Sequence, residues 1–299
     1  MGEAVYGAPP AALVEVDPEA VQLSPFALEG QAAEAIADQS LDRVVILAPP
    51  GTLERRYTVA QALRALKAGG ELVILGTKDK GGSRLKKELQ AFGLMLEEGS
   101  KAHHRICRAE RPETVDGLDA AIADGAPRLV PALGLWSWPG VFSWDRPDPG
   151  SLLLIDKLPA LKGEGADLGC GVGLLSRAVL AQPAVTALEM IDLDRRAVEA
   201  ARRNVVDPRA NIRRSDATTT ELEGLDFVVM NPPFHDGGAE DKGLGLAFIS
   251  AAAKALRKGG MLYLVANRHL PYEAGLTARF TSVTVLAEAQ GYKVFEAVK

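Results

Sequence analysis

Leu225-Asp-Phe-Val-Val-Met-Asn-Pro-Pro-Phe234 has a counterpart far upstream, Leu41-Asp-Arg-Val-Val-Ile-Leu-Ala-Pro-Pro50. Each is a short apolar run, the pattern of a buried strand, halted by two prolines that fix φ and bring no N–H to a sheet ladder. The likeness continues downstream. Ala62-Leu-Arg-Ala-Leu-Lys-Ala-Gly-Gly70 matches Ala252-Ala-Lys-Ala-Leu-Arg-Lys-Gly-Gly260, and Glu71-Leu-Val-Ile-Leu75 matches Met261-Leu-Tyr-Leu-Val265. The offsets run from 184 to 190 residues, too long for a solenoid repeat, so one α/β unit is duplicated. Strands alternating with helical patterns predict two α/β domains with mainly parallel sheets.

The expected boundaries are 1–111 for the first domain, 112–150 for a linker and 151–299 for the second domain. The linker is rich in Pro, Gly and Trp, so it is structured and not a flexible tether. In the first copy, Ala48 stands where the second has Asn231, and no glycine-rich loop occurs in the first 40 residues. That copy is expected to be degenerate and non-catalytic. Within it, the pattern predicts a short strand at 14–16, a helix at 25–37, and a helix at 58–66 that residues 67–70 close as a glycine C-cap.

Composition narrows the class. Of 299 residues, 47% are hydrophobic and 24% charged, which fits a soluble globular chain. No apolar run approaches the roughly 20 residues of a membrane helix. Residues 1–10 lack the basic start and apolar core of a signal peptide. Cys107 and Cys170 are too far apart for metal-ligand spacing, so no metal is expected, and a reduced cytoplasmic setting fits. A net charge of -5 argues against a protein that coats nucleic acid generally. One local exception is 78–111, with nine Lys/Arg against five Asp/Glu, readable as an RNA-docking patch or a solvated face.

Chemistry concentrates at predicted strand ends in the second copy. Asp167-Leu-Gly-Cys-Gly-Val-Gly173 precedes a helix, and its glycines at 169, 171 and 173 leave room for a ligand against the backbone. The spacing is tighter than a dinucleotide fingerprint, and the acid before the first glycine suits a cationic group. The ammonium and sulfonium of S-adenosylmethionine qualify; dinucleotide binding is the alternative for this loop alone. Asp192, 25 residues past Asp167, ends the next strand and is placed for ribose hydroxyls, with Glu189 as competitor. Asp216, followed by Ala217, ends a third strand and can accept from an adenine amine. Asn231 and Pro232 end the fourth. The Asn231 side-chain oxygen and the Pro232 carbonyl are two fixed acceptors, able to hold a planar NH2 group by both hydrogens. Phe234 adds a flat face for stacking a base.

Taken together, Asp167-Leu-Gly-Cys-Gly-Val-Gly173, Asp192, Asp216 and Asn231-Pro-Pro-Phe234 resemble the ordered motifs of class I S-adenosylmethionine-dependent methyltransferases. Asn231-Pro-Pro-Phe-His-Asp-Gly237 and Pro139-Gly-Val-Phe-Ser143 are similar to those of the ribosomal RNA small subunit methyltransferase C family. The resemblance is close over 139–299 and architectural over 1–111. It implies two tandem Rossmann-like domains, the first having lost its cofactor site and serving RNA docking. It further implies methyl transfer to the exocyclic N2 of a guanine in 16S ribosomal RNA. Asn231, Pro232 and Phe234 would be catalytic. Asp167, Gly169, Gly171, Gly173, Asp192, Asp216 and Ala217 would bind S-adenosylmethionine. Phe142, Phe234, His235 and Asp236 would meet the RNA. The partner would be ribosomal RNA or the small subunit, and the protein a cytoplasmic monomer. Two rivals stand beside this reading: a protein glutamine N-methyltransferase, which normally has tyrosine where Phe234 stands, and a non-catalytic RNA-binding assembly factor.

Overall fold

The computed structural model describes residues 2–233, 235–236, 239–240 and 242–299, with backbone alone at 235–236, 239–240 and 242. The chain divides into two compact units, Met1–Ala126 and Pro127–Lys299. The proline- and tryptophan-rich segment 112–150 is therefore shared between the units, its last 24 residues belonging to the second. No helix among the described residues is long and apolar enough to cross a membrane.

The first unit contains β1 (Glu3–Tyr6), β2 (Val21–Gln22), β3 (Leu41–Leu47), α1 (Thr52–Ala65), β4 (Leu66–Thr77), α2 (Leu85–Gln90), β5 (Glu97–Lys101), β6 (His104–Glu110) and α3 (Leu118–Gly125). Its sheet runs β2-β1-β3-β4-β6-β5, parallel through β4 and antiparallel beyond. Val44, Val45 and Ile46 are fully buried, as a continuous apolar strand in a parallel sheet requires. Several local expectations fail here. Residues 14–16 form no strand; Val14 simply packs into the core from a loop. The only helical turn in 25–37 is the 3-10 turn Ala33–Ala35. Helix α1 begins at Thr52, six residues before its expected start. It gives way to β4 at Leu66, so residues 67–70 are no helix cap. Instead Gly69, at φ 76°, bulges the strand, and Gly70 continues the ladder by accepting from the Arg111 amide at 2.9 Å.

The second unit contains the hairpin β7 (Arg128–Val130) and β8 (Leu135–Ser137), then α4 (Pro149–Lys157), β9 (Gly163–Leu168), α5 (Leu174–Leu180), β10 (Val185–Asp192), α6 (Arg195–Asn204), β11 (Ala210–Arg214) and β12 (Leu225–Met230). The short strands β13 (His235–Asp236) and β14 (Ala239–Glu240) pair with each other. The chain ends with α7 (Lys242–Ala255), β15 (Leu256–Asn267), α8 (Glu273–Thr277), β16 (Ser282–Ala289) and β17 (Tyr292–Val298). The main sheet runs β11-β10-β9-β12-β15-β17-β16, with its first five strands parallel. Apolar clusters cover both of its faces.

The duplication read from sequence recurs in the ladders. Leu41 pairs with Leu66 and Arg43 with Glu71; Leu225 pairs with Leu256 and Phe227 with Met261, with a register shift at the same point in both. Helices α1 and α7 have 14 residues each, and β4 and β15 have 12 each, with the same order of buried and exposed positions. This register sets Leu47, not Ala48, against Asn231. A short apolar strand end carries no marker of its register, and the expected pairing was one residue out.

The first unit's Pro49-Pro50 loop is filled from within. Arg55, 1% exposed, donates through Nη1 to the carbonyls of Pro49 and Pro50, both at 2.9 Å. Its Nε and Nη2 engage both carboxylate oxygens of Glu88 at 2.6 Å. A bidentate partner and carbonyl acceptors are what make a buried guanidinium tolerable.

Candidate active site

In the second unit β11, β10, β9 and β12 are adjacent and parallel, so their C-terminal ends share one edge. Connections run from β9 outward to β10 and β11, then return to β12 on the other side of β9. Such a reversal opens a crevice at the carboxyl ends of the strands. The glycine loop follows β9, Asp192 is the last residue of β10, Asp216 lies two past β11, and Asn231 follows β12 directly. The predicted acids, glycines and asparagine therefore meet at one edge.

Asp167 occupies the middle of the sheet, between Met190 of β10 and Val229 of β12, and is fully buried. Its Oδ2 accepts from the Ser176 hydroxyl at 2.5 Å, while Oδ1 has no partner among the described residues. Burial, reinforced by the charge of Asp192, pushes its pKa up to about 7. An incompletely satisfied buried carboxylate is a fitting neighbour for a cation. Above it, Gly171 (φ 55°) has nothing within 4 Å of where a Cβ would sit, so the loop is open to a ligand. At Gly173 (φ 89°), which caps α5, a Cβ would come within 2.9 Å of Val205, so the helix cannot seat with a larger residue there. Gly169 lies on the other flank, 4.0 Å from Pro233 measured at its would-be Cβ, which brings the glycine and Asn-Pro-Pro loops together.

Asp192 accepts from the Gly171 amide at 2.8 Å and the Asp194 amide at 2.9 Å. Each of its oxygens keeps a further lone pair for a ribose hydroxyl. Burial first, and then the charge of Asp194, pushes its pKa up to about 6. The competitor Glu189 is engaged elsewhere, holding Asn211 at 2.9 Å and Arg213 at 2.8 Å across to β11. Asp216 folds its own turn by accepting from the amide and hydroxyl of Thr218 through Oδ1. Ala217 beside it is buried in the core. These residues fit S-adenosylmethionine: orphaned and half-satisfied acids for its cationic and hydroxyl groups, and an open glycine loop between them.

Asn231 donates through Nδ2 to Asp148 Oδ2 and to Ser151 Oγ, both at 2.9 Å. Among the described residues nothing donates to its Oδ1. A cleft joins Asn231 to Phe142, Arg146, Asp148, Ser151 and the loop 169–172. Phe142 is 58% exposed beside it, a free apolar face at its mouth. Phe234 and the side chains of His235 and Asp236 lie outside the described residues.

The segment carrying Phe142 is tied down by α6. Asn204 brackets Trp136, accepting from its amide at 2.7 Å and donating to its carbonyl at 2.8 Å, and also donates to the Val172 carbonyl at 2.9 Å. Arg203 stacks over Trp136 and Arg195 over Trp138. Asp148, Ser151 and Asn204 escaped the sequence reading. Asp148-Pro149 does carry a signal, an acidic N-cap before proline at the first helical position, and Asp148 caps α4 by accepting from the Ser151 amide at 2.7 Å. Nothing local to it points at Asn231, 83 residues on.

A family model described as the methyltransferase small domain matches residues 132–296. The ribosomal RNA small subunit methyltransferase C of Shewanella halifaxensis is 32% identical over 272 residues, covering 88% of this chain and 79% of that protein. The chain belongs to the ribosomal RNA small subunit methyltransferase C family. The member from Shewanella pealeana is 31% identical over 271 residues, with the same coverage. A T. thermophilus 16S rRNA N2 guanine methyltransferase of the family, solved with AdoMet and guanosine, superposes with a TM-score of 0.79 at 27% identity. That match covers all of this chain and 88% of the other. Both units, and not the second alone, therefore follow the family's architecture.

Proposed function

We propose that this protein transfers a methyl group from S-adenosylmethionine to the exocyclic N2 of a guanine in 16S ribosomal RNA. The observation that carries the reading is the Asn231 amide, whose nitrogen is spent on Asp148 and Ser151 so that its oxygen is left to accept. S-adenosylmethionine, when bound, supplies an electrophilic methyl group. Asp167 and the glycine loop would hold its cationic part, Asp192 its ribose, and Asp216 with Ala217 its adenine. Guanine N2 is a poor nucleophile because its lone pair is delocalised into the ring. Asn231 Oδ1 and the Pro232 carbonyl, each accepting one N–H, favour a pyramidal nitrogen whose lone pair can be aimed. Alignment of the reacting atoms then supplies most of the acceleration. No strong base is needed beforehand, since the methylated ammonium is very acidic. The amine is out of reach within a helix, so the base is met unpaired or flipped out, and Phe142 with Phe234 offers stacking faces. The first unit and its basic segment dock the RNA, and the protein acts as a cytoplasmic monomer.

The test is methyl incorporation into small subunits and naked 16S ribosomal RNA, with the modified nucleotide identified by mass spectrometry. N2-methylguanine is the expected product. Label confined to protein would transfer the site to the glutamine-methylating rival, and failure to bind S-adenosylmethionine by calorimetry would favour the assembly factor.

A further inference from the structure

We propose that Asp148 is a positioning residue for the transfer, fixing the Asn231 amide in the one orientation that presents oxygen to the acceptor amine; this rests on the guanine-N2 reading above. Asp148 is 6% exposed, and two donors converge on its Oδ2. These are the Ser151 amide at 2.7 Å and Asn231 Nδ2 at 2.9 Å. An ionised carboxylate only accepts, so the amide atom facing it must be nitrogen. Ser151 Oγ, at 2.9 Å, takes the other amide proton. Flipping the amide would forfeit the Asp148 bond and set its oxygen against a carboxylate, whereas the Ser151 hydroxyl can bond either amide atom, so Asp148 decides the orientation. It would also turn N–H groups toward the guanine amine, donor against donor. An asparagine without this clamp has no such preference and spends part of its time unproductive. Because the same carboxylate oxygen caps α4, the start of that helix and the catalytic loop are set by one atom, and Gly150 leaves room for the Tyr292 ring that a Cβ would strike at 2.7 Å.

The test is a double-mutant cycle on the full-length protein. Asp148→Ser keeps an N-cap of comparable strength but is too short to reach Asn231. It is expected to lower kcat for guanine methylation at least ten-fold while the dissociation constant for S-adenosylmethionine and the unfolding midpoint stay near wild type. Asp148→Asn, whose side-chain oxygen takes over both contacts, is expected to restore activity to within a few-fold. In the Asn231→Ala background Asp148→Ser should cause no further loss, because the amide it orients is gone. Ser151→Ala is the second probe, with a few-fold lower kcat that likewise disappears alongside Asn231→Ala. Equal fractional losses in both backgrounds, or a wild-type rate for Asp148→Ser, overturn the proposal. Wild-type protein that leaves guanine N2 unlabelled overturns the reading beneath it, and the proposal with it.

Discussion

The main-chain amide of Gly171 donates to Oδ2 of Asp192 at 2.8 Å, clamping the acid that ends β10 to the glycine loop that follows β9. Asp192→Ala should therefore weaken S-adenosylmethionine binding twice over, by removing the ribose acceptor and by releasing the loop. Charge-assisted hydrogen bonds of this kind are worth about 1.5–3 kcal/mol. Calorimetry should show a dissociation constant raised roughly ten-fold or more. An unchanged constant in a folded variant removes Asp192 from the cofactor site.

Asn231→Ala should leave cofactor affinity close to wild type, since its side chain is held from the α4 side by Asp148 and Ser151. The methylation rate should fall by roughly 10²-fold or more, the scale for losing one preorganised polar contact at a reacting centre. Near-normal turnover would mean that the Asn-Pro-Pro-Phe loop is not where transfer occurs.

Phe142 projects beside the cleft with 58% of its surface exposed, so its truncation should not disturb folding. Phe142→Ala should weaken productive RNA engagement by about 1–3 kcal/mol, the worth of stacking one base. Steady-state kinetics should register this mainly in kcat/KM for RNA, with cofactor affinity unchanged. Unaltered kcat/KM would exclude Phe142 from base binding.

Reversing Lys86 and Lys87 to Glu should weaken RNA binding and flatten its salt dependence without touching cofactor affinity. Lys86 and Arg105 both pair with Glu98 at 2.6 Å, so part of the positive charge in 78–111 is already neutralised inside the fold. Filter binding across a salt series measures the slope. A slope identical to wild type makes the segment a solvated face.

Stability without cofactor should depend on pH through Asp167 and Asp192. Desolvation raises both well above the usual carboxylate range, to about 7 and about 6. Between pH 4 and 7 the folded protein thus holds protons that the unfolded chain has released. The stabilisation is complete below about pH 4 and drains away as pH rises through 6 and 7, each group contributing at most about 1.4 kcal/mol per pH unit. Urea titrations from pH 5 to 8 should show falling stability, and Asp192→Asn should make the fall shallower. A wild-type profile that is flat across this range would contradict the buried, partly protonated state.

What was legible in the sequence had punctuation. Prolines stop β12 at Asn231, acids stand at or just past the ends of β10 and β11 at 192 and 216, and glycines follow β9, so four strand termini announced themselves before their shared edge was seen. Repetition exposed the second sheet's copy, because the α1–β4 and α7–β15 segments keep their lengths, and β4 and β15 keep the same order of burial. Residues 14–37 had neither, and there the expected strand and helix dissolved into loop held by buried Val14 and Leu23. Gly69 and Gly70 show how one residue type serves two ends: positive φ closes a helix or bulges a strand, and only the partner strand decides. Asp148 was hidden by distance along the chain, and Arg55 by looking like any surface cation on a helix.

Arg55 also bears on the strand end of the first unit. Its guanidinium offers N–H groups to two proline carbonyls at a strand end, the gesture that an amino group of a base makes toward such a loop. A tethered ligand of this sort is present at an effective concentration no diffusing molecule can match, and Glu88 keeps it seated. An asparagine substituted at 47 would therefore find the carbonyls of that strand end already occupied by the chain's own side chain.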